Sequence, residues 1–390
     1  MKKKILFLSS RIPFPRVGGD RVRSSLLLTI LSKHFDVHLV SISENKPPKD
    51  FYIWADKIGI QYTIFHKKKW RYYLNLFEFI FNKLPLQVNF YYFKDIKKYI
   101  DSISEDFDLL FPVLIRTASY VMDKKKPKII EITDSIGQNY LRSKVKTKSL
   151  FWKIIYIIES KRLLDFETLC IEKFDNSLFV NREEMDFFKS DKTKWIPNIV
   201  DESLLLNYDN ITPKYLNCIS FFGKMDYQPN IDAVLWFVEN VINFINKDLN
   251  LIIVGAYPNK KILNLKEKYN NIKITGFVND PYEILKSSLC VVAPMQTGGG
   301  IQNKIIESMA LGTINIISSI ASRAIGGKDG LDYFIIDEPE LIAEKINEIY
   351  INRGKFDFMK ENSRNFIKDN FICSIYESNI LKILRNLIED

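Results

Sequence analysis

LCVVAPMQTGGGIQNKIIESMALG, residues 289–312, is the stretch whose reading decides the fold. The apolar run Leu289 to Pro294 has the length and composition of a strand buried on both faces. Three glycines follow, Gly298, Gly299 and Gly300, and then a helical pattern that carries Lys304 and, three residues on, Glu307. A strand that runs through glycines into a helix offers free backbone N–H groups and the positive end of a helix dipole. That arrangement suits an anion such as a diphosphate.

Working outward, every apolar run nearby is closed by a turn signal. Cys218 to Phe222 ends in Gly223-Lys224, Leu251 to Val254 in Gly255, and Ile272 to Thr275 in Gly276-Phe277-Val278. Thr313 to Ser318 and Phe334 to Asp337 continue the series, with a helix expected from about Pro229 to Phe244. Strands alternating with helices predict a parallel sheet wrapped on both faces. The first half repeats the pattern. Ile5 to Ser10 leads into a loop with two prolines and Gly18-Gly19, a helical pattern runs from Arg21 to Phe35, and Val37 to Ser41 is the next strand. Further strands are expected at Tyr62 to Phe65, Leu109 to Val113, Lys128 to Ile132 and Ser177 to Val180. The Rossmann fingerprint GxGxxG is absent, which argues against a dinucleotide oxidoreductase.

At 390 residues the chain exceeds one ordinary core, so two domains are expected. The polar stretch Glu202 to Tyr215 reads as the linker. The expected division is 1–203, a Rossmann-like domain, then 204–370, a second Rossmann-like domain, and 371–390, a helix packing back on the first. Lys and Arg number 56 against 47 Asp and Glu, a net charge of +9, which suits an anionic partner without choosing it. Cys170, Cys218, Cys290 and Cys373 are scattered and read as core residues of a protein in a reducing cytoplasm. Ile5 to Ser10 is too short an apolar run to serve as a secretory leader, and no window is long enough for a membrane span.

Taken together, the motifs resemble a known family. Gly18-Gly19 after the first strand, Pro197-Asn198-Ile199-Val200-Asp201, Phe221-Phe222-Gly223, Gly276-Phe277-Val278, and Lys304 to Gly312 are similar, in order and spacing, to the retaining GT-B glycosyltransferases of family 4. The likeness is greatest to the branch acting in bacterial surface-polysaccharide assembly. It implies an α/β GT-B fold, two Rossmann-like domains with parallel sheets facing across a cleft, and no cofactor beyond a nucleotide-diphosphate sugar substrate. It also implies roles: Glu307 to hold the ribose hydroxyls, the N–H groups of Gln302, Asn303 and Lys304 for the diphosphate, Phe277 and Val278 for the nucleobase, and Gly299 and Gly300 as further substrate-binding positions. Gly18 and Gly19 match the loop that approaches the diphosphate. Lys224 stands where the family has an arginine that stabilises the leaving group.

Three departures are visible. The first of the family's two glutamates falls on Gly299, which leaves the sugar unassigned. The second family cation falls on Asn230, and Lys304 is the candidate to restore its charge. The family histidine of the first domain is replaced by Glu131-Ile132-Thr133-Asp134-Ser135, so Asp134 becomes the candidate to orient or deprotonate the acceptor, its alternative being a helix cap. Glu183 is a candidate acceptor or interdomain contact, and Arg11 and Arg16 read either as cations that add charge from the opposite wall or as simple loop cations. Asp106-Phe107-Asp108 has the form of a metal-binding DxD but precedes a strand, so it reads as a turn, and no metal is expected.

Two stretches mix lysines with apolar and aromatic residues: His66 to Ile100, with Lys67, Lys68, Lys69, Trp70, Phe77 and Phe81, and Lys144 to Arg162, with Leu150, Phe151, Trp152 and Ile158. They read either as interfacial helices on an anionic membrane or as core helices with snorkelling lysines. The acceptor is then a glycan, free or lipid-linked, and the location is the cytoplasm or the inner face of its membrane. Another GT-B activity, such as a nucleotide-sugar epimerase, is the nearest alternative. A nucleic-acid partner is not expected, since no RRM, KH or zinc-finger signature is present.

Overall fold

The computed structural model describes residues 2–15, 19–80, 82–146, 150–206, 211–298 and 300–388. The chain forms two compact units, Met1–Ile196 with Asn379–Asp390, and Pro197–Ser378. Pro197 to Glu202 falls with the second unit because its hydrogen bonds go there. Val200 N donates to Phe371 O at 2.8 Å, and Glu202 accepts from Cys373 N at 3.1 Å. The last helix, Cys373–Ile388, has most of its length, from Asn379 on, counted with the first unit.

In the first unit β1 (Lys4–Ser9), β2 (Asp36–Ser43), β3 (Gln61–His66), β4 (Leu109–Val113), β5 (Ile129–Thr133), β6 (Asn176–Phe179) and β7 (Thr193–Trp195) form one sheet in the order β3-β2-β1-β4-β5-β6-β7. In the second, β8 (Cys218–Phe222), β9 (Asn250–Val254), β10 (Ile272–Gly276), β11 (Cys290–Ala293), β12 (Asn315–Ile317) and β13 (Phe334–Ile335) run in the order β10-β9-β8-β11-β12-β13. All paired strands are parallel. Parallel strands covered on both faces need apolar side chains on both, which is why Ile5, Leu6, Phe7 and Leu8 in β1 and Cys290, Val291, Val292 and Ala293 in β11 are all buried. β7 escapes the sequence reading because three residues with a central lysine carry no apolar run.

The first helix, Gly19–His34, is tied to β5 by a buried ion pair. Arg23 Nε lies 3.0 Å from Glu131 Oε1, and its Nη2 donates to Glu131 Oε2 at 3.1 Å and to Ile196 O at 2.7 Å. Thr133 Oγ1 adds a bond to the same carboxylate at 3.2 Å. Burial raises the Glu131 pKa while Arg23 opposes the rise. Breaking such a pair on one side strands a charge in the core. Arg23→Met is therefore expected to lower stability by roughly 3–5 kcal/mol in urea unfolding, and Arg23→Met with Glu131→Leu to recover most of it.

Candidate functional site

In the second unit the sheet reverses its order between β8 and β11, the two strands whose carboxyl ends carry the sequence motifs. Crevices beyond the strand ends at such a switch point are where open α/β sheets take their ligands. The floor is shaped by two glycines. A Cβ on Gly255 would meet the Gly223 carbonyl oxygen at 1.8 Å, and one on Gly223 would meet Asn230 Nδ2 at 2.6 Å, so neither position admits a side chain.

β11 leads through Gly298, at φ +116°, into the helix Asn303–Ala310, which closes on Gly312 at φ +68°. Gln302 is the N-cap, but its side chain makes no cap bond and donates to Gly300 O at 3.2 Å instead. The first-turn N–H groups are therefore not consumed by a capping side chain. Asn198, of the Pro-Asn motif, donates to Asn303 Oδ1 at 3.3 Å and so fixes the start of this helix.

Lys304 lies on the buried face of the helix, 7% exposed. Its Nζ donates to Asn230 Oδ1 at 2.5 Å, lies 3.3 Å from Met295 Sδ, and sits 4.7 Å from the centre of the Phe221 ring. Asn230 Nδ2 donates in turn to Lys224 O at 2.9 Å. The two positions that the sequence analysis paired are thus in contact: the Lys304 ammonium sits against the Asn230 side chain. Burial lowers the Lys304 pKa to about 7. Lys224 is exposed and its Nζ lies 5.7 Å from the Tyr257 ring centre.

Glu307, one turn along, is pushed up to about 7 by burial, opposed by a hydrogen bond from Tyr282. Tyr282 packs edge-on to Phe222 at 6.1 Å, and Val278 packs on the cluster of Cys218, Ile252, Val254 and Ile284. Phe277 is 75% exposed. Tyr282 and Asn230 carry no signal in the sequence that marks them as site residues. Tyr282 has no motif around it, and Asn230 had only the sequence position of an expected cation.

In the first unit Gly19 opens the first helix, with nothing within 4 Å of a Cβ placed there. Arg16, Gly18, Phe81 and Gly299 lie outside the described residues. Asp134 follows β5 and the left-handed Thr133 (φ +69°). The cap of the helix Ile136–Lys146 is supplied by others. Ser135 Oγ accepts from Gln138 N at 3.1 Å, Glu184 accepts from Ser135 N at 2.6 Å, and Glu167 from Gly137 N at 3.1 Å. Asp134 Oδ1 is buried without a hydrogen-bond partner, and burial raises its pKa. The alternative reading of Asp134 as a helix cap is thereby set aside. Glu184 is raised to about 8, by burial and then by Asp134, and Glu167 to about 7 by burial. Glu183 stands 3.6 Å from Arg142 within the same unit. Asp106 and Asp108 lie at the amino end of β4, where Asp108 accepts from Lys4 N at 2.8 Å. Among the described residues no group of three His, Cys, Asp or Glu is gathered in a metal-holding arrangement.

The basic and aromatic stretches divide. Lys67 is buried and paired with Asp95, so it belongs to the core. Trp70, Tyr73, Leu74 and Phe77, spaced as one helical face, are 55%, 52%, 52% and 64% exposed. On the helix Leu150–Lys173, Trp152, Ile154, Ile157 and Ile158 are also exposed. The two stretches meet where Arg162 covers the Phe79 ring at 4.2 Å and Glu159 accepts from Leu86 N at 2.8 Å. No helix among the described residues is long and apolar enough to cross a membrane.

The fold is that of GT-B glycosyltransferases, and residues 217–352 match the family model described as "Glycosyl transferases group 1". Fold and matched domain together define a glycosyltransferase of GT-B type. Across all of both chains the protein is 22% identical to an uncharacterized glycosyltransferase of Methanocaldococcus jannaschii. The crystal structure of Anabaena HepE in complex with UDP superposes with a TM-score of 0.66 at 14% identity, over 99% of this chain and 100% of that one. Sucrose-phosphate synthase from Thermosynechococcus elongatus gives 0.68 at 13% identity over 100% of both chains.

The buried lysine carries a pH signature. Unfolded Lys304 takes its proton near 10.5 and folded Lys304 near 7, so between these values the unfolded chain holds more protons. Stability from this group therefore rises with pH from about 7 to about 10.5, and below pH 7 the folded protein bears the whole burden of the buried charge. Lys304→Met is expected to remove that slope and to raise stability at pH 6, by roughly 3 kcal/mol, relative to pH 9 in urea unfolding.

Proposed function

We propose that the protein is a retaining glycosyltransferase of family 4 that moves a sugar from a nucleotide-diphosphate sugar to a glycan or lipid-linked glycan acceptor in bacterial surface-polysaccharide synthesis. One observation carries the reading: Lys224 follows β8, and the uncapped start of the helix that carries Lys304 and Glu307 follows β11, the two strands that flank the switch point. Two cations and free N–H groups answer a diphosphate, and a partly buried carboxylate answers a pair of ribose hydroxyls. The exposed Phe277 offers a face to the base. That HepE crystals hold UDP and UDP-glucose supports a donor of this class.

In the step proposed, the bond from the anomeric carbon to the diphosphate oxygen breaks while the acceptor hydroxyl bonds that carbon from the same face. The leaving phosphate oxygen takes the acceptor proton. Lys224 and Lys304 stabilise the charge growing on the leaving group, the work a metal ion does in other transferases. Asp134 orients the acceptor hydroxyl. Glu307→Ala and Lys224→Ala are each expected to lower kcat/KM by about 100-fold or more with the melting temperature retained. Full activity in both would sink the assignment, and release of an altered sugar without any acceptor would turn it toward an epimerase.

The same reading extends to location, the inner face of the cell membrane. The exposed apolar stripes are flanked by exposed Lys68, Lys69, Arg71, Lys153 and Lys161, which complement an anionic bilayer. Trp70→Ser with Phe77→Ser is expected to reduce flotation with phosphatidylglycerol vesicles several-fold at low salt. Equal flotation of wild type and variant would remove this part of the proposal.

A further inference from the structure

The sheet of the first unit has its own switch point, between β1 and β4. Two arginines stand beyond it, Arg11 after β1 and Arg116 after β4, and both engage one tyrosine. Arg11 Nε and Nη2 each lie 3.2 Å from Tyr91 Oη, and the Arg116 guanidinium carbon is 5.2 Å from the centre of the Tyr91 ring. Arg116 donates through Nε to the neutral Gln87 Oε1 at 3.1 Å, and no described carboxylate stands within ion-pair distance of it. Burial, and then the like charge of Arg11, pulls its pKa below the ordinary arginine value, against the effect of Tyr91. The helix Ile115–Ala118 that carries it is entered through Leu114 at φ +63°, a conformation that a leucine adopts only when its surroundings impose it.

Beside Tyr91 opens a cavity of about 370 Å³, in the size range of small-molecule sites. Arg11, Arg21, Lys46, Tyr72 and Tyr91 line it, with Glu44. Asp20, 3.5 Å from Arg11, is the other nearby acid. Three cations and Glu44 thus line the cavity, and Arg116 adds a fourth cation across the Tyr91 ring. A guanidinium held largely out of water without a counter-charge is unfavourable unless an anion completes it.

We propose that this site in the first unit binds a phosphoryl group of the acceptor between Arg11 and Arg116, with the Tyr91 hydroxyl as a third donor. The proposal rests on the transferase reading, which makes this unit the acceptor side. The two Nη groups of Arg116, Arg11 Nη1 beside Asp20 and the Tyr91 hydroxyl together present more donors than the two oxygens of a carboxylate use, which suits a phosphate. The phosphoryl group belongs either to a soluble phosphorylated sugar or to a lipid headgroup.

The test uses the full chain, with glycerol 3-phosphate and vesicles containing phosphatidic acid as probes. Glycerol 3-phosphate is expected to raise the melting temperature of the wild type. Arg11→Gln and Arg116→Gln should each weaken its affinity at least tenfold. Ligand-free Arg116→Gln should melt at or above the wild-type temperature, because the variant loses an uncompensated charge. A response to vesicles alone, lost in Arg116→Gln, would assign the phosphoryl group to a lipid and support the proposal. A lower ligand-free melting temperature with an intact phosphate response would make Arg116 merely structural and overturn it. So would competition between UDP and glycerol 3-phosphate, which would give the site to the donor, a wild type that responds to neither probe, or variants that respond to both as the wild type does. Stabilisation by UDP, read in the same samples, reports on the second unit. Its absence in every form would count against the transferase reading, while the phosphate arm would still decide the arginine site.

Discussion

The ammonium of Lys304, held out of water at the end of a parallel sheet, is the constraint around which the second unit is arranged. A buried lysine needs an acceptor, and Asn230 supplies one while its amide nitrogen grips the backbone of Lys224. One neutral side chain therefore holds the Lys304 ammonium on its helix and the backbone of Lys224 after β8. Had position 230 held the cation instead, the positive charge would arrive from β8 and its following helix. Here it arrives from the helix after β11, with the same neighbours.

The parts of this arrangement that were legible in the sequence are those whose cause is local. Gly255 and Gly312 are glycines because a backbone approaches within contact or because φ is positive, and such demands leave a mark at the position itself. The buried strands were legible because two-sided burial forces an unbroken apolar run. What stayed hidden depends on residues distant in the chain. Tyr282 meets Glu307, and Arg11 meets Tyr91, through packing that no spacing encodes. β7 is too short to show a period, and Lys67, set among surface lysines in the sequence, is drawn into the core by Asp95. The cap after β5 was misleading for a similar reason. Asp134 stands where a capping residue is expected, yet Ser135, Glu167 and Glu184 take that work.

The two units solve the same problem with different materials. Each has a parallel sheet that reverses order once, and each gathers cations beyond the strands that flank the reversal. In the second unit they are lysines, one nearly enclosed and governed by desolvation. In the first they are arginines, which stay charged in partial burial and spread their donors in a plane. Burial can take the charge from a lysine but not from an arginine, so the cations at the two switch points differ in kind.

The contact between Gly223 and Gly255 separates shape from chemistry in this protein. Because a Cβ at either position collides with backbone or with Asn230, any chain that keeps this floor must keep both glycines, whatever it transfers. Lys224 and Phe277, both exposed at its rim, are under no such restriction. Across related sequences the glycines would therefore trace common ancestry of the scaffold, while drift at the rim would track divergence in what it handles.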